Sequence, residues 1–303
     1  MEKKLLSIYI PTYNRVDKVV HQVKFFIEEI AGDSSIELVV CDNASTDGTE
    51  IKLKQLNCDN VFKYYKNNKN LGINGNAYNV LKYTTGNYIW IVGDDDYLEH
   101  GVVKNVKKIL SAREKPNFVF LNYSICYGKN FYGNTLYKGE NGIIVDTWNK
   151  LKEDFRVYST LMIFTTCIIH KRANVEKVMR LIPLDGNREY GWSFILGIIA
   201  LKGGNGYFDK KVWMWDQLKD ISWKNIVFLS RRGMINSLDI LKEFGFRKKE
   251  IINLQRQFMI NMDICELTID ELVRKGEYKK EAIDILKLML RLDVKYVWKQ
   301  FIR

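Results

Sequence analysis

The feature that most restricts the fold is the run Tyr88-Ile89-Trp90-Ile91-Val92, bounded by Gly86 and Gly93 and followed at once by Asp94-Asp95-Asp96. Five consecutive, largely apolar and β-favouring residues read as a strand covered on both faces, as in parallel sheets flanked by helices. The three acids then stand at the carboxyl end of that strand, the edge at which open α/β sheets bind ligands. Adjacent carboxylates repel one another unless a cation or a proton offsets the charge, and a divalent metal holding a phosphate meets that need. The same three residues also suit a turn that caps the next helix.

Three other segments repeat the pattern. Lys4 to Arg15 reads KLLSIYIPTYNR, an apolar strand that ends in Pro and polar or aromatic side chains. Ile36 to Cys41 reads IELVVC and runs directly into Asp42-Asn43-Ala44-Ser45-Thr46-Asp47-Gly48-Thr49. Asn70 to Asn76 reads NLGINGN and leads into a short helix carrying Asn79. If these strands are parallel, their loops lie on one edge and converge on one crevice.

IPTYNR, DNASTDGT, NLGINGNAYN and YIWIVGDDDYL, in that order within the first hundred residues, resemble glycosyltransferase family 2 with a glycosyltransferase-A fold. The resemblance is strong over about residues 5–115 and continues, weaker, to about 215. It implies an α/β fold with a mostly parallel sheet flanked by helices and a Rossmann-like nucleotide-binding half. It also implies a catalytic domain over 1–218, divided into a nucleotide-sugar half, 1–115, and an acceptor half, 116–218; residues 219–303 read as an all-helical C-terminal region.

By the same resemblance, Pro11, Thr12, Tyr13 and Arg15 line the donor site with Asn43 and Ser45. Tyr13 would offer a ring face and Asp42 would accept from the ring N–H of a uracil or thymine. Asp42 also suits an Asx-turn with Ser45 and Thr46, and Tyr13 a half-buried core position. Asn74 and Asn79 would hold the loop or reach the sugar nucleotide. The family pattern Asp-any-Asp-Asp has Gly93 at its first position here, which makes Asp94 the ribose or pyrophosphate contact, Asp95 the preferred metal ligand and Asp96 the alternative. Oxygen ligands favour Mn2+ or Mg2+. The base that takes the acceptor proton falls on Glu189, with Asp185 second; Tyr190 stands where the family has a second acid, and Glu189 also suits a helix cap.

The implied activity is inverting transfer of a sugar from a nucleotide-diphosphate donor, UDP- or dTDP-linked, to a hydroxyl of a glycan acceptor, free or lipid-linked, in a bacterial surface polysaccharide such as capsule or O-antigen. A degenerate member acting as a scaffold or partner subunit is the alternative, favoured only by the missing second acid. A sugar nucleotidyltransferase is disfavoured because the first strand lacks a Gly-rich basic loop.

Composition supports a globular chain. The 303 residues are 47% hydrophobic, enough for a substantial core. Five cysteines without CxxC spacing argue against disulfides and zinc and for a reducing cytosol. The short apolar run after MEKK is used as a strand rather than a signal peptide, and no stretch reaches the roughly 20 apolar residues of a membrane span. Residues 224–303 carry 17 Lys and Arg against 11 Asp and Glu. With Trp298, Phe301 and Ile302, this suits either peripheral docking on an anionic membrane or a solvated basic face, which includes a homo-oligomer surface. Nucleic acid is disfavoured, because the acidic cluster would repel a backbone in the crevice.

Hydrophobic spacing predicts a helix from Val16 to Ile30 closed by Gly32, a helix over 101–112, a strand from Pro116 to Leu121 and another from Leu161 to Ile169. The Gly- and Tyr-rich stretch from Tyr123 to Gly142 reads as a hairpin or loop. Tyr207-Phe208 and Val212 to Trp215 read as a closing β pair, with Trp213 and Trp215 as core or sugar-stacking aromatics. Helical periodicity continues over 224–244, 248–275 and 278–301. His21, His100 and His170 have no ligand partner at a recognisable spacing.

Overall fold

The computed structural model describes residues 3–57, 61–126, 137–153, 164–181, 192–217, 233–261 and 279–292. The chain divides into two compact units, residues 1–179 with 196–220, and residues 180–195 with 221–303.

The first unit is built on one mixed sheet. Strands β1 (Leu6–Thr12), β2 (Ile36–Asp42), β3 (Lys63–Lys66) and β4 (Tyr88–Ile91) pair parallel in the order β3-β2-β1-β4. Every residue of β2 and β4 is buried, as their apolar runs require of strands covered on both faces. Helices α1 (Val16–Ile30), α2 (Thr49–Leu56), α3 (Gly72–Tyr78) and α4 (Val80–Tyr83) connect them. Val19, Val23 and Phe26 form the buried stripe of α1, and Phe26 meets the edge of Trp90 at 5.7 Å. The cap of α1 differs from expectation: Ala31 takes the left-handed conformation, and Gly32 follows it, also at positive φ.

At the amino edge of these strands the buried Glu37 gathers Gly86 N at 3.1 Å, Thr85 Oγ1 at 3.0 Å and Lys63 Nζ at 2.6 Å. Burial disfavours its charge, but these donors outweigh burial and hold the carboxyl below its ordinary range.

Beyond β4, a two-residue strand β5 (Tyr97–Leu98) precedes helix α5 (Val102–Ser111), which Gly101 opens at positive φ. Then follow β6 (Phe118–Cys126), β7 (Gly142–Ile144), α6 (Thr147–Glu153), a 3-10 turn at Thr165–Cys167, β8 (Ile168–Lys171), α7 (Arg172–Leu181), α8 (Trp192–Lys202) and β9 (Gly206–Gln217). Strand β8 lies antiparallel between β4 and β6, and β9 runs parallel to β6. Among the described residues four of eight strand pairings are parallel and carry the long ladders; the antiparallel ones extend over two or three residues.

The strand expected over Pro116 to Leu121 begins at Phe118 and runs on to Cys126, into the stretch read as a hairpin or loop, and two further elements differ. The apolar segment before Ile169 is a 3-10 turn from Thr165 with a strand only from Ile168, residues 161–163 lying outside the described ones. The expected β pair over 207–215 is one long strand, whose register on β6 shifts on either side of Asn122. An extra residue on one strand bends it and keeps both halves in the sheet. Trp213 belongs to the core: it is buried, its Nε1 donates to Asp209 Oδ2 at 2.7 Å, and Lys211 Nζ lies 3.6 Å from its ring centroid. The side chain of Trp215 lies outside the described residues.

In the second unit, residues 233–237 are helical and continue as a 3-10 helix over Leu238–Phe244. Helix α9 (Lys248–Asn261) and helix α10 (Lys279–Leu292) follow. Gln255 Nε2 donates to Asp239 Oδ1 at 2.9 Å between α9 and the 3-10 segment. Trp298, Phe301 and Ile302 lie outside the described residues. No helix among the described residues is long and apolar enough to cross a membrane.

Candidate active site

Because β1, β2 and β4 are parallel, their carboxyl ends deliver the predicted polar loops to one crevice of about 470 Å³. Pro11, Thr12, Tyr13 and Arg15 line it from β1, Asn43 from β2, Asn70 and Ile73 from the segment before and into α3, and Gly93, Asp94 and Asp95 from β4.

Thr12 Oγ1 donates to Asp94 Oδ2 at 2.7 Å, and Arg15 Nη1 reaches Asp94 Oδ1 at 3.0 Å. Both Thr12 and Asp94 are buried. Burial pushes the Asp94 carboxyl above its ordinary value, against the pull of the Thr12 hydroxyl and the Arg15 charge. For Arg15, burial disfavours the cation, but Asp94 and then Asp95 more than offset it and hold the guanidinium above its usual value.

Asp95 is about one-third exposed, and its Oδ2 accepts from Arg15 Nη1 at 2.8 Å and from Lys18 Nζ at 3.2 Å. Its Oδ1 accepts from no group among the described residues. Asp96 turns the other way, accepting from Gly93 N at 3.1 Å and from the Thr166 hydroxyl. Gly93 N also donates to Thr166 Oγ1 at 3.0 Å. The glycine that replaces the first acid of the family pattern leaves the space that the Asp96 carboxylate fills, since a Cβ at Gly93 would collide with Asp96 Oδ2. Of the two expected ligands, Asp95 is the one that lines the crevice.

Asp42 is fully buried, and both of its oxygens are engaged. Oδ1 accepts from Ser45 N at 2.8 Å, forming the Asx-turn, and Oδ2 accepts from Tyr64 OH at 2.8 Å. Burial and then this bond push the Tyr64 phenol up. Ser45 Oγ accepts from Asn14 N at 2.9 Å, and Asn14 Oδ1 accepts from Thr46 N at 2.8 Å, so the loops after β1 and β2 lock together. Asp47 completes the lock by accepting from Val16 N at 2.9 Å and Thr49 N at 3.1 Å, which caps α1 and α2 at once.

An asparagine network centred on Asn67, a residue outside the sequence motifs, holds the third loop. Asn43 Oδ1 accepts from Asn67 Nδ2 at 3.0 Å and Leu71 N at 2.9 Å, while its Nδ2 donates to Asn70 Oδ1 at 2.8 Å. Asn67 Nδ2 also reaches Asn76 Oδ1 at 3.0 Å, and Asn76 Nδ2 reaches Cys41 O at 2.9 Å. Asn79 Nδ2 donates to Asn67 Oδ1 at 2.9 Å, which makes Asn79 a loop-holding residue. Asn74 is buried on α3. The density of Asn over 67–79 was the available signal. Tyr13 and Ile73 stand exposed at the rim.

Among the described residues, no three His, Cys, Asp or Glu side chains are grouped so as to hold an ion by themselves. Asp95 Oδ1, which accepts from no described group, could serve a hard divalent cation only if oxygens of a ligand in the crevice completed its shell. Glu189 and Asp185 lie outside the described residues.

Solved structures share the fold. S. aureus TarS, residues 1–349, in complex with UDP-GlcNAc, superposes with a TM-score of 0.69 at 14% identity, over 97% of this chain and 82% of that one. The mannosyltransferase PcManGT from Pyrobaculum calidifontis, in complex with GDP-Man and Mn2+, gives 0.59 at 13% identity, over 99% and 85%. These likenesses show the glycosyltransferase-A fold. In sequence, the abequosyltransferase RfbV of Salmonella typhimurium is 36% identical over 96 residues, 31% of this chain and 29% of the relative. The Escherichia coli UDP-Glc:alpha-D-GlcNAc-diphosphoundecaprenol beta-1,3-glucosyltransferase WfgD is 27% identical over 135 residues, 44% and 51%. The chain thus spans about half or less of the length of these curated relatives. Residues 7–179, more than half of the chain, match the glycosyl transferase family 2 model, and the chain belongs to that family.

Proposed function

We propose that this chain is an inverting glycosyltransferase that moves a sugar from a nucleotide-diphosphate donor to a hydroxyl of a surface-polysaccharide acceptor. One observation carries the reading: the carboxyl ends of β1 and β4 are joined by the Thr12–Asp94 hydrogen bond at a crevice that also presents the open oxygen of Asp95. An anionic donor held beside acidic residues needs counter-charge, and Arg15 and Lys18 are already shared with Asp94 and Asp95.

Asp94 is assigned to the ribose or pyrophosphate, Tyr13 to the base, and Asp95 to Mn2+ or Mg2+. The bound ion supplies positive charge to the departing diphosphate. Asp42, with both oxygens engaged, holds the base-binding loop rigid and must exchange its Tyr64 bond to reach a pyrimidine N–H. Glu189, with Asp185 second, remains the proposed group that takes the acceptor proton. Catalysis is assigned to residues 1–218, with donor and acceptor halves meeting near residue 115, and the helical region 219–303 to peripheral docking on an anionic membrane from the cytoplasmic side. WfgD acts on a diphosphoundecaprenol-linked acceptor and a UDP donor, which supports a UDP-sugar and a lipid-linked acceptor here as well.

A thermal-shift screen against UDP-, dTDP-, GDP- and CDP-sugars, with Mn2+ or with chelator, tests this reading, since a ligand that prefers the native state raises its apparent stability. Selective stabilisation by one donor group, larger in Mn2+ than in chelator, is expected, with that Mn2+ increment lost in Asp95→Asn. Absence of any shift at millimolar donor, with or without an undecaprenol-linked acceptor, overturns it.

A further inference from the structure

We infer that Lys18 is a diphosphate-binding residue held in reserve by Asp95 and released to the donor when a divalent cation takes that carboxylate. The inference rests on the donor site proposed above and adds a residue that the family motifs do not include.

Lys18 stands in the first turn of α1, yet its Nζ crosses to the end of β4 and contacts Asp95 Oδ2 at 3.2 Å. The same oxygen already accepts from Arg15 Nη1 at 2.8 Å. The single charge of Arg15 is divided between Asp94 and Asp95, and Lys18 completes the balance through one exposed contact, so Lys18 is the more readily released of the two cations. Its only partner among the described residues is Asp95, and its side chain is 42% exposed. A lysine ammonium is a mobile point charge on a flexible stem, suited to moving between acceptors, whereas the planar guanidinium of Arg15 is tied to two carboxylates. A cation on Asp95 repels Lys18, while a diphosphate in the same crevice attracts it. Metal and nucleotide should therefore bind with a coupling that passes through this side chain.

Titration calorimetry with UDP, in Mn2+ and in chelator, tests this on the full chain. Lys18→Met is expected to weaken UDP binding in Mn2+ about tenfold, the size of one charge-assisted hydrogen bond, and by less than twofold in chelator. Lys18→Arg should retain most of the affinity. Asp95→Asn, which frees Lys18 without metal, should bind UDP more tightly than the parent in chelator, and the added Lys18→Met should erase that gain. Thermal unfolding confirms that each variant is folded. If the parent binds UDP and Lys18→Met binds it equally well in Mn2+, the role of Lys18 is overturned while the donor site stands. If the parent binds no nucleoside diphosphate at all, the donor site falls and this inference with it.

Discussion

The Thr12 hydroxyl and the Asp94 carboxylate meet at 2.7 Å across the adjacent parallel strands β1 and β4, and both side chains are buried. This bond fixes one wall of the crevice to the other. It also supports a carboxylate that burial alone would leave protonated over a wider pH range.

Thr12→Val removes that donor while keeping the side-chain shape. The expected cost is about 1–3 kcal/mol of stability, the usual penalty for a buried group that loses its partner. Because the Asp94 carboxyl rises still further, the acid limb of donor binding should move to higher pH. Urea unfolding and UDP titrations at several pH values measure both effects.

Gly93→Ala places a methyl group where the Asp96 carboxylate now sits and breaks its bonds to Gly93 N and Thr166. Displacing the chain that carries Asp94 and Asp95 should weaken donor binding about tenfold, the equivalent of roughly 1.4 kcal/mol. If the donor affinity of Gly93→Ala matches the parent, the orientation of Asp96 has no part in shaping the site.

His170 sits in β8, buried, with its Nδ1 unpaired, and burial pushes the imidazole down to about 3. An unfolded histidine titrates near 6.5, so between about 6.5 and 3 the unfolded chain binds the extra proton and stability falls as pH falls. Above that window His170 is neutral in both states and contributes no pH dependence. His170→Phe should flatten the decline in melting temperature between pH 6.5 and 4 relative to the parent. An unchanged profile would assign that acid sensitivity to other groups.

Asn67→Ala should cost about 1–3 kcal/mol, because it takes the Asn67 donor from Asn76 Oδ1 and one bond each from Asn43 and Asn79, and a buried polar group that loses its partner costs roughly that much. The loop bearing Ile73 should loosen with it. Amide hydrogen exchange over 67–79, compared with the parent, reads that loosening directly.

Asp33 illustrates the opposite sign. Its bonds from Lys107 and Ser35 hold its carboxyl down to about 2. A depressed carboxylate contributes stability above the unfolded value that is lost as pH falls through the folded one. Asp33→Asn should therefore be less stable than the parent at pH 6 and converge with it toward pH 2, as read by thermal unfolding.

Much of residues 1–115 was legible because the signals there are local. The apolar runs of β1, β2 and β4, the 3.6-residue stripe of α1 and the glycines around the acid cluster each act over a few residues. Residues 116–217 were less legible. Strand β8 is short and antiparallel, and its partners β4 and β6 lie far from it in sequence, so neither its length nor its direction leaves a local pattern. The bulge that keeps 206–217 in one strand depends on register with β6, which no local periodicity encodes. Ala31 closes α1 in the left-handed conformation that the neighbouring glycine was expected to supply alone, because the cap position follows from where the helix leaves its last carbonyl.

From its sequence alone this chain is determined to be an α/β protein of glycosyl transferase family 2, with Thr12, Asp42 and Asp94 to Asp96 at strand ends, because covered strands and their terminal polar residues are set by nearest-neighbour chemistry. Only the tertiary structure decided what each acid faces: Asp42 turned onto Ser45 and Tyr64, Asp96 folded back on Gly93 and Thr166, and Asp95 left with one oxygen free and the other shared by Arg15 and Lys18. A carboxylate's role is set by the donors around it, and those donors come from strands and turns up to eighty residues away.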